Sequence, residues 1–406
     1  MIGALGLFLC MVGQRIVPVS AGIGRQTMAA EAAQYESVFH DYLQRVASVA
    51  PIATAHADWS ERNSRPAPEY VDALRDAGLF RMLTPVSLGG AGFSPWEIGP
   101  VIEAMARVDG SAGWTLALGQ GILGQLVKPA LYETLFSDPQ LTMAGSLNPV
   151  RVRAHREDGG YRFSGTGSYV SGCTHASWMV AAGLVVENGA PKFVGDAPVI
   201  RVGVLPMSEC QIQETWNMTG MRGTGSHDVT FEDVFVPDDL TFDQADALDN
   251  LGGLLAPVSL GIARHAIDAF IELATVKVPT GSRSLLRDRV SAQTQLGQAE
   301  GTLQAARSLF YETCAEAEAR RLEERTPTDP ERVRLRLGSV MAAQLSAQAV
   351  DLIYDAAGLT AGSVGCAIER CWRDVHVARQ HITLATTRFE VVGRICLGMP
   401  ANSPII

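Results

Sequence analysis

Near the end of this 406-residue chain, Trp372-Arg373-Asp374-Val375-His376-Val377-Ala378-Arg379-Gln380-His381 places a carboxylate and two imidazoles close together in sequence. An imidazole titrates near pH 6.5. It can therefore take a proton from a weakly acidic group, or hand one on, without leaving a formal carboxylate charge in an apolar pocket. On a continuous helix Asp374 and His381 share one face, two turns apart, while His376 points elsewhere. A second chemistry-bearing group is the hydroxyl of Ser171 in Tyr169-Val170-Ser171-Gly172. It can donate one hydrogen bond and accept two, or it can simply end a strand before a glycine turn. The plain alternative for each histidine is a hydrogen-bonded structural residue.

Other chemistries are absent from the pattern. Seven cysteines (Cys10, Cys173, Cys210, Cys314, Cys366, Cys371, Cys396) are widely spaced with no Cys-x-x-Cys pair. That predicts free thiols in a reducing cytoplasm, with no zinc site and no disulfide framework. No Gly-x-Gly-x-x-Gly opens a βαβ pattern, so the nicotinamide-binding fingerprint is missing. Lys and Arg number 33 against 43 Asp and Glu, for a formal charge of −10 and no basic block. A nucleic-acid partner is excluded on that balance. The 47% hydrophobic content at this length predicts a globular protein of two or three domains, or one fold of several layers.

The apolar run from Ile2 to Val12 lacks a positive leader and is shorter than the roughly 20 residues needed to span a bilayer, so no membrane is expected. Residues 1–27 read as an extension, disordered or non-native, ahead of a second start at Met28.

The elements that must position these groups follow from periodicity. Residues 28–140 are expected to form a helical N-terminal domain: Tyr70, Val71, Leu74 and Leu79 recur at helical spacing, and Ser94-Pro95-Trp96-Glu97 has the form of a capping box. That box predicts a helix from Ser94, carrying Ile98, Val101, Ile102, Met105 and Val108 inward and ending near Asp109-Gly110. Ser111 to Val127, with Trp114 and Gln120, is small and apolar and reads as a buried helix. Residues 141–245 change to β-rich runs cut by Asp158-Gly159-Gly160 and Asn188-Gly189, with Val229, Phe231, Val234 and Val236 alternating before Pro237. Residues 246–406 return to helix. Leu254 to Val276 is apolar nearly all round; Arg287 to Arg325 sets Leu296, Ala299, Leu303, Ala306 and Phe310 along a bundle seam, ended by Pro327 and Pro330. Glu331 to Ala357 and Cys366 to Leu397 complete a four-helix set.

That α+β order, together with five strings, resembles the acyl-CoA dehydrogenase superfamily over about Glu31 to Gly398. The strings are Ala106-Arg107-Val108-Asp109-Gly110-Ser111-Ala112-Gly113-Trp114, Tyr169-Val170-Ser171-Gly172, Arg222-Gly223-Thr224-Gly225-Ser226, Phe231-Glu232-Asp233-Val234-Phe235-Val236-Pro237 and Trp372-Arg373-Asp374-Val375-His376. The resemblance implies a helical N-terminal domain, a middle β-barrel-like domain, a C-terminal four-helix bundle, flavin held between barrel and bundle, and a homotetramer. The dehydrogenases' glutamate base would fall at Ile382, and Asn250 to Ala263 offers no Asp or Glu in its place. One residue earlier stands His381. Arg373-Asp374 followed by His381 is similar to the two-component, group D flavin-dependent monooxygenases that include para-hydroxyphenylacetate hydroxylase and dibenzothiophene monooxygenase.

What that resemblance implies is an oxygenase component that receives reduced FAD or FMN from an NAD(P)H:flavin reductase. It would form a C4a-hydroperoxyflavin with O2 and oxygenate a small aromatic or heteroaromatic substrate. His381 would be the acid/base and Ser171 would meet the flavin near N5. Ser146, Asn148, Tyr169, Arg283, Gln293 and Gly358 would contact the cofactor, and Trp114, Gln120 and Asp374 the substrate.

Overall fold

A computed structural model describes residues 25–126, 135, 141–243 and 251–403. The expected extension therefore lies outside the described residues up to residue 24, while residues 25–27 already belong to the first helix, α1 (Arg25–Asn63). The chain divides into two compact units. One takes the described residues up to Pro51, with Trp96–Gly113 and the chain from Gly252 onward; the other takes Ile52–Pro95 and Trp114–Leu251. α1 and α4 (Gly110–Leu126) run across the division, and the short helix α2 (Pro68–Asp76) belongs to the second unit.

The second unit is built on a sheet. Its strands are β1 (Met143–Ser146), β2 (Val152–Glu157), β3 (Gly160–Val170), β4 (Trp178–Glu187), β5 (Ala190–Pro191), β8 (Ile200–Pro206), β9 (Gln211–Gln213), β10 (His227–Pro237) and β11 (Thr241–Asp243). Two short strands, β6 (Phe193–Val194) and β7 (Ala197–Pro198), pair separately. The main order is β11-β8-β4-β2-β3-β10-β9, with β1 and β5 also on β4. The path does not return on itself, so among the described residues the expected barrel-like domain is an open sheet. β4 is buried on both faces: Val180 and Ala182 enter one apolar cluster with Val202, Val204 and Phe242, and Met179 and Ala181 enter another with Phe163, Val229 and Phe231. Alternation with a period of two requires this division. Asn188 and Gly189 both take positive φ, the type I′ turn that matches strand twist between β4 and β5. In β10 the apolar face steps by three from Phe231 to Val234, because a bulge at Glu232-Asp233, with Asp233 at φ 57°, absorbs the extra residue.

The other unit is helical: α3 (Gly99–Val108), α5 (Leu251–Val276), α6 (Val290–Leu322), α7 (Asp329–Ala357), α8 (Ala367–Ala378) and α9 (Arg388–Cys396). α5 contains the described stretch long and apolar enough to cross a membrane, and it is mostly buried as a core helix. Ala299, Leu303, Ala306 and Phe310 of α6 are buried as their spacing predicts, with Leu296 half-buried. Gly338 of α7 admits Thr313 of α6 where a Cβ would collide.

Three expectations need correction. The helix expected from Ser94 starts at Gly99, since Pro100 fits the first turn of a helix and would clash in the interior of one begun at Ser94. Ile98, Val101, Ile102 and Met105 are nevertheless buried and Val108 half-buried. Pro330 does not end α6, which stops at Leu322; it opens α7, where Thr328 and Glu331 form a capping box. The last helix of the expected four is two helices, α8 and α9, broken over 379–387.

Candidate active site

In the sheet unit, β3 and β10 run antiparallel with Val170 opposite His227. One residue further out on each strand, Ser171 must then face Ser226. Their hydroxyl oxygens lie 2.5 Å apart. Ser226 Oγ is 2.7 Å from Thr224 Oγ1, and the Thr224 hydroxyl donates to the Met221 carbonyl at 2.8 Å. From the other side the Trp114 indole N–H donates to Ser171 Oγ at 3.1 Å. All four side chains are buried.

A carbonyl has no proton to give, so Thr224 spends its proton on Met221. Ser226 must then donate to Thr224, and Ser171 to Ser226. The chain has one polarity throughout: Trp114 to Ser171 to Ser226 to Thr224 to Met221.

Local backbone makes this convergence. Met221 and Gly225 flank the turn Arg222–Thr224, both in the left-handed region, and the Met221 carbonyl also accepts the Trp216 indole N–H at 2.9 Å. Arg222 fastens the turn to the end of α1 through the Glu61 carbonyl and Ser64 Oγ. Tyr169, at φ 58°, turns its ring out to solvent, edge-on to Trp216 at 6.3 Å. Beside Ser171, burial pushes the Cys173 thiol up to about 12, so it is a protonated packing group that donates to the Gly225 carbonyl. Burial and then the Arg75 guanidinium push His175 down to about 3. Its neutral ring stacks on Phe80 at 6.2 Å.

His381 belongs to the helical unit. It lies in the turn after α8, so the expected shared helix face with Asp374 does not exist: α8 ends at Ala378, and Ile382, Thr383, Thr386 and Thr387 are β-branched residues that favour leaving the helix. The imidazole Nδ1 accepts the Thr383 backbone N–H at 3.3 Å and sits 2.9 Å from Thr383 Oγ1. An Nδ1 that accepts from a backbone N–H carries no proton, which leaves the proton on Nε2. Burial, and after it Arg336, push its pKa down to about 4. His381 is thus a neutral imidazole with its proton on Nε2.

Asp374 is buried on α8, its Oδ2 near the first residue of α4, Gly110. Asp109 caps the same helix end through Oδ1 to the Ala112 N–H at 2.8 Å. Two carboxylates at a helix N-terminus are favourable there without a substrate. His376 pairs with Asp351 at 2.9 Å beside Trp372, on a different face of α8 from Asp374.

The remaining expected residues are dispersed. Gln120 is buried, its amide N–H on the Leu79 carbonyl and its oxygen accepting the Leu83 N–H. Ser146 is buried at the end of β1, and Asn148 is exposed, with Oδ1 accepting the Val150 N–H at 3.2 Å. Arg283 and Gln293 are exposed around the start of α6. Gly358 ends α7 at φ 60°, ψ −152°, a conformation open to glycine alone. Lys277 Nζ donates to the neighbouring Ala357 carbonyl at 2.6 Å. Thr224, Ser226 and Thr383 were not singled out by sequence, although the first two stand in a string quoted above.

The acyl-CoA dehydrogenase N-terminal domain family matches residues 36–130, and the acyl-CoA dehydrogenase C-terminal domain family matches residues 254–386. The chain is 31% identical over 345 residues to the indole-3-acetate monooxygenase of Pseudomonas putida, covering 81% of this chain and 87% of that one. It is 28% identical over 391 residues to the oxygenase component of the FADH(2)-dependent resorcinol hydroxylase of a Rhizobium species, covering 87% and 93%. Among solved structures, the HsaA monooxygenase of M. tuberculosis superposes with a TM-score of 0.80 at 25% identity, covering 91% of this chain and all of that one. XiaF from Streptomyces, solved with FADH2, shares the fold at a TM-score of 0.85 and 22% identity, covering 92% and 99%.

Proposed function

Since the chain belongs to the acyl-CoA dehydrogenase superfamily, among its flavin-dependent monooxygenases, we propose that it is the oxygenase component of a two-component system acting on a small aromatic or heteroaromatic substrate. The observation that carries this reading is the neutral His381, next to Ile382 where the dehydrogenases' carboxylate base would fall. Reduced flavin, when bound, supplies the two electrons with which one atom of O2 enters the substrate and the other leaves as water.

What supports such a group in the sheet unit is the spare hydrogen-bond acceptor of Ser171. After accepting from Trp114 and donating to Ser226, Ser171 retains one lone pair, and reduced flavin carries an N–H at N5 for it. Ser171 would hold that edge, with Ser146, Asn148 and Tyr169 on the same sheet unit as further contacts. Trp114 and Gln120 are buried side chains of α4 that would shape the substrate's surroundings. His381 would orient a phenolic or indole-like group through Nε2–H and, being uncharged, keep a formal charge out of its surroundings. Asp374 would steady that region by fixing the N-terminus of α4.

A homotetramer, with the exposed Arg283 and Gln293 reaching a neighbouring subunit's FAD, is the finer part of the proposal, as are a cytoplasmic location and a separate NAD(P)H:flavin reductase. Gly358 would serve as a backbone approach point. The test combines the protein with a generic flavin reductase, NADH, labelled O2 and a panel of phenols and indoles. Substrate-dependent label in product supports the reading; anaerobic bleaching of bound flavin by an acyl-CoA, with no labelled product, refutes it.

A further inference from the structure

We infer that Ser226 and Thr224 are positioning residues that hold Ser171 as a hydrogen-bond acceptor, and that this polarity makes the chain select reduced flavin over oxidised flavin. The inference rests on the proposal that Ser171 meets the flavin at N5.

The two redox states of a flavin differ at N5 in the sense of the hydrogen bond. Oxidised N5 is a bare acceptor, whereas reduced N5 carries a proton and donates. A lone serine serves both by rotating its hydroxyl. Ser171 is not a lone serine, because its proton goes to Ser226, whose own proton goes to Thr224, whose proton ends on the Met221 carbonyl. Trp114 fixes the opposite end, since an indole N–H can only donate.

To donate to oxidised flavin, Ser171 would have to leave Ser226, or the whole chain would have to reverse. Reversal strips Thr224 from the Met221 carbonyl, and that carbonyl, already held by the Trp216 indole, offers no proton in exchange. Each route loses one buried hydrogen bond, which corresponds to about a tenfold preference for the reduced state. An oxygenase supplied with flavin by diffusion gains directly from it. Spent, oxidised flavin meets lone pair against lone pair and is released, freeing the site for the next reduced molecule.

The test uses the full-length protein and measures dissociation constants for oxidised FMN and FAD by fluorescence and for the dithionite-reduced forms by anaerobic titration. It compares the parent with Ser171→Ala, Ser226→Ala, Thr224→Val and Thr224→Ser. In Ser226→Ala the Ser171 proton has lost its acceptor. In Thr224→Val the Ser226 proton can turn back to Ser171. Both should narrow the oxidised-to-reduced ratio by about tenfold, and Thr224→Ser, which keeps the hydroxyl, should restore it. If Ser226→Ala does not fold, the Thr224→Val and Thr224→Ser pair decides alone. An unchanged ratio in Thr224→Val, while Ser171→Ala weakens reduced-flavin binding, overturns the selection mechanism and leaves the placement of Ser171 standing. Unchanged binding of both states in Ser171→Ala overturns the placement itself.

Discussion

His381 should stay uncharged far below the pH at which a free imidazole protonates. Burial and the Arg336 guanidinium push its pKa down to about 4, against about 6.5 for an unperturbed side chain. The folded value lies below the unfolded one. Between about pH 6.5 and about pH 4 the unfolded chain therefore binds a proton that the folded chain refuses, and stability is lost as pH falls through that window. Acidification from about pH 7.5 to about pH 4.5 should cost about 2 to 3 kcal/mol through this residue alone. His381→Gln, which does not protonate, should lose that much less stability than the parent over the same interval. Urea unfolding followed by circular dichroism at the two pH values measures it. Carboxylates that protonate in the same range act equally on both proteins and drop out of the difference. Histidine nitrogen NMR on the parent should place the ring proton on Nε2. Equal acid losses in the two proteins, or a proton found on Nδ1, would refute the account of the Thr383 contact and of burial together.

Within the helical unit, Glu103 of α3 accepts the Tyr311 hydroxyl at 2.6 Å and pairs with Arg307 at 2.7 Å. Glu103→Ala strands the half-buried guanidinium and should cost about 3 to 5 kcal/mol in denaturant unfolding, whereas Tyr311→Phe should cost only about 1 to 2; the reverse order would show that the ion pair contributes little. For the thiols, burial raises Cys173 to about 12 and holds Cys314 and Cys371 well above the usual thiol range, while Cys396 is exposed. Mass-resolved alkylation at neutral pH should label Cys396 first among these four and leave the other three unmodified until the chain unfolds.

Much of the framework was legible because the relevant signals are local. The strand turns at Asp158-Gly159 and Asn188-Gly189, the long apolar α5 and the seam of α6 all follow from residues within a few positions of one another. The misreadings arose where two local signals competed. Ser94 carried a cap pattern, but Pro100 fixed the helix start. The segment after α8 kept an apolar rhythm, but its β-branched threonines and the His381 imidazole, which takes a backbone N–H that a helix would have used, ended the helix. An i, i+7 argument holds only while the helix lasts, and here it fails before reaching the residue it was meant to place.

The site is legible in a different way. Tyr169-Val170-Ser171-Gly172 and Arg222-Gly223-Thr224-Gly225-Ser226 stood out in the sequence as separate strings, yet they form one feature. The pairing of Val170 with His227 obliges Ser171 to face Ser226 across 55 residues of chain. The turn at Met221 to Gly225 then folds Thr224 back beneath it. No spacing rule shows this, because the relation is fixed by strand register and by the direction of three protons, neither of which has a sequence period. Once register is known, the direction follows from a single carbonyl at the end of the chain. The hydroxyl types at 171, 224 and 226 are therefore constrained as a set: replacing any one with a group that lacks a proton changes what Ser171 presents, even when Ser171 is untouched.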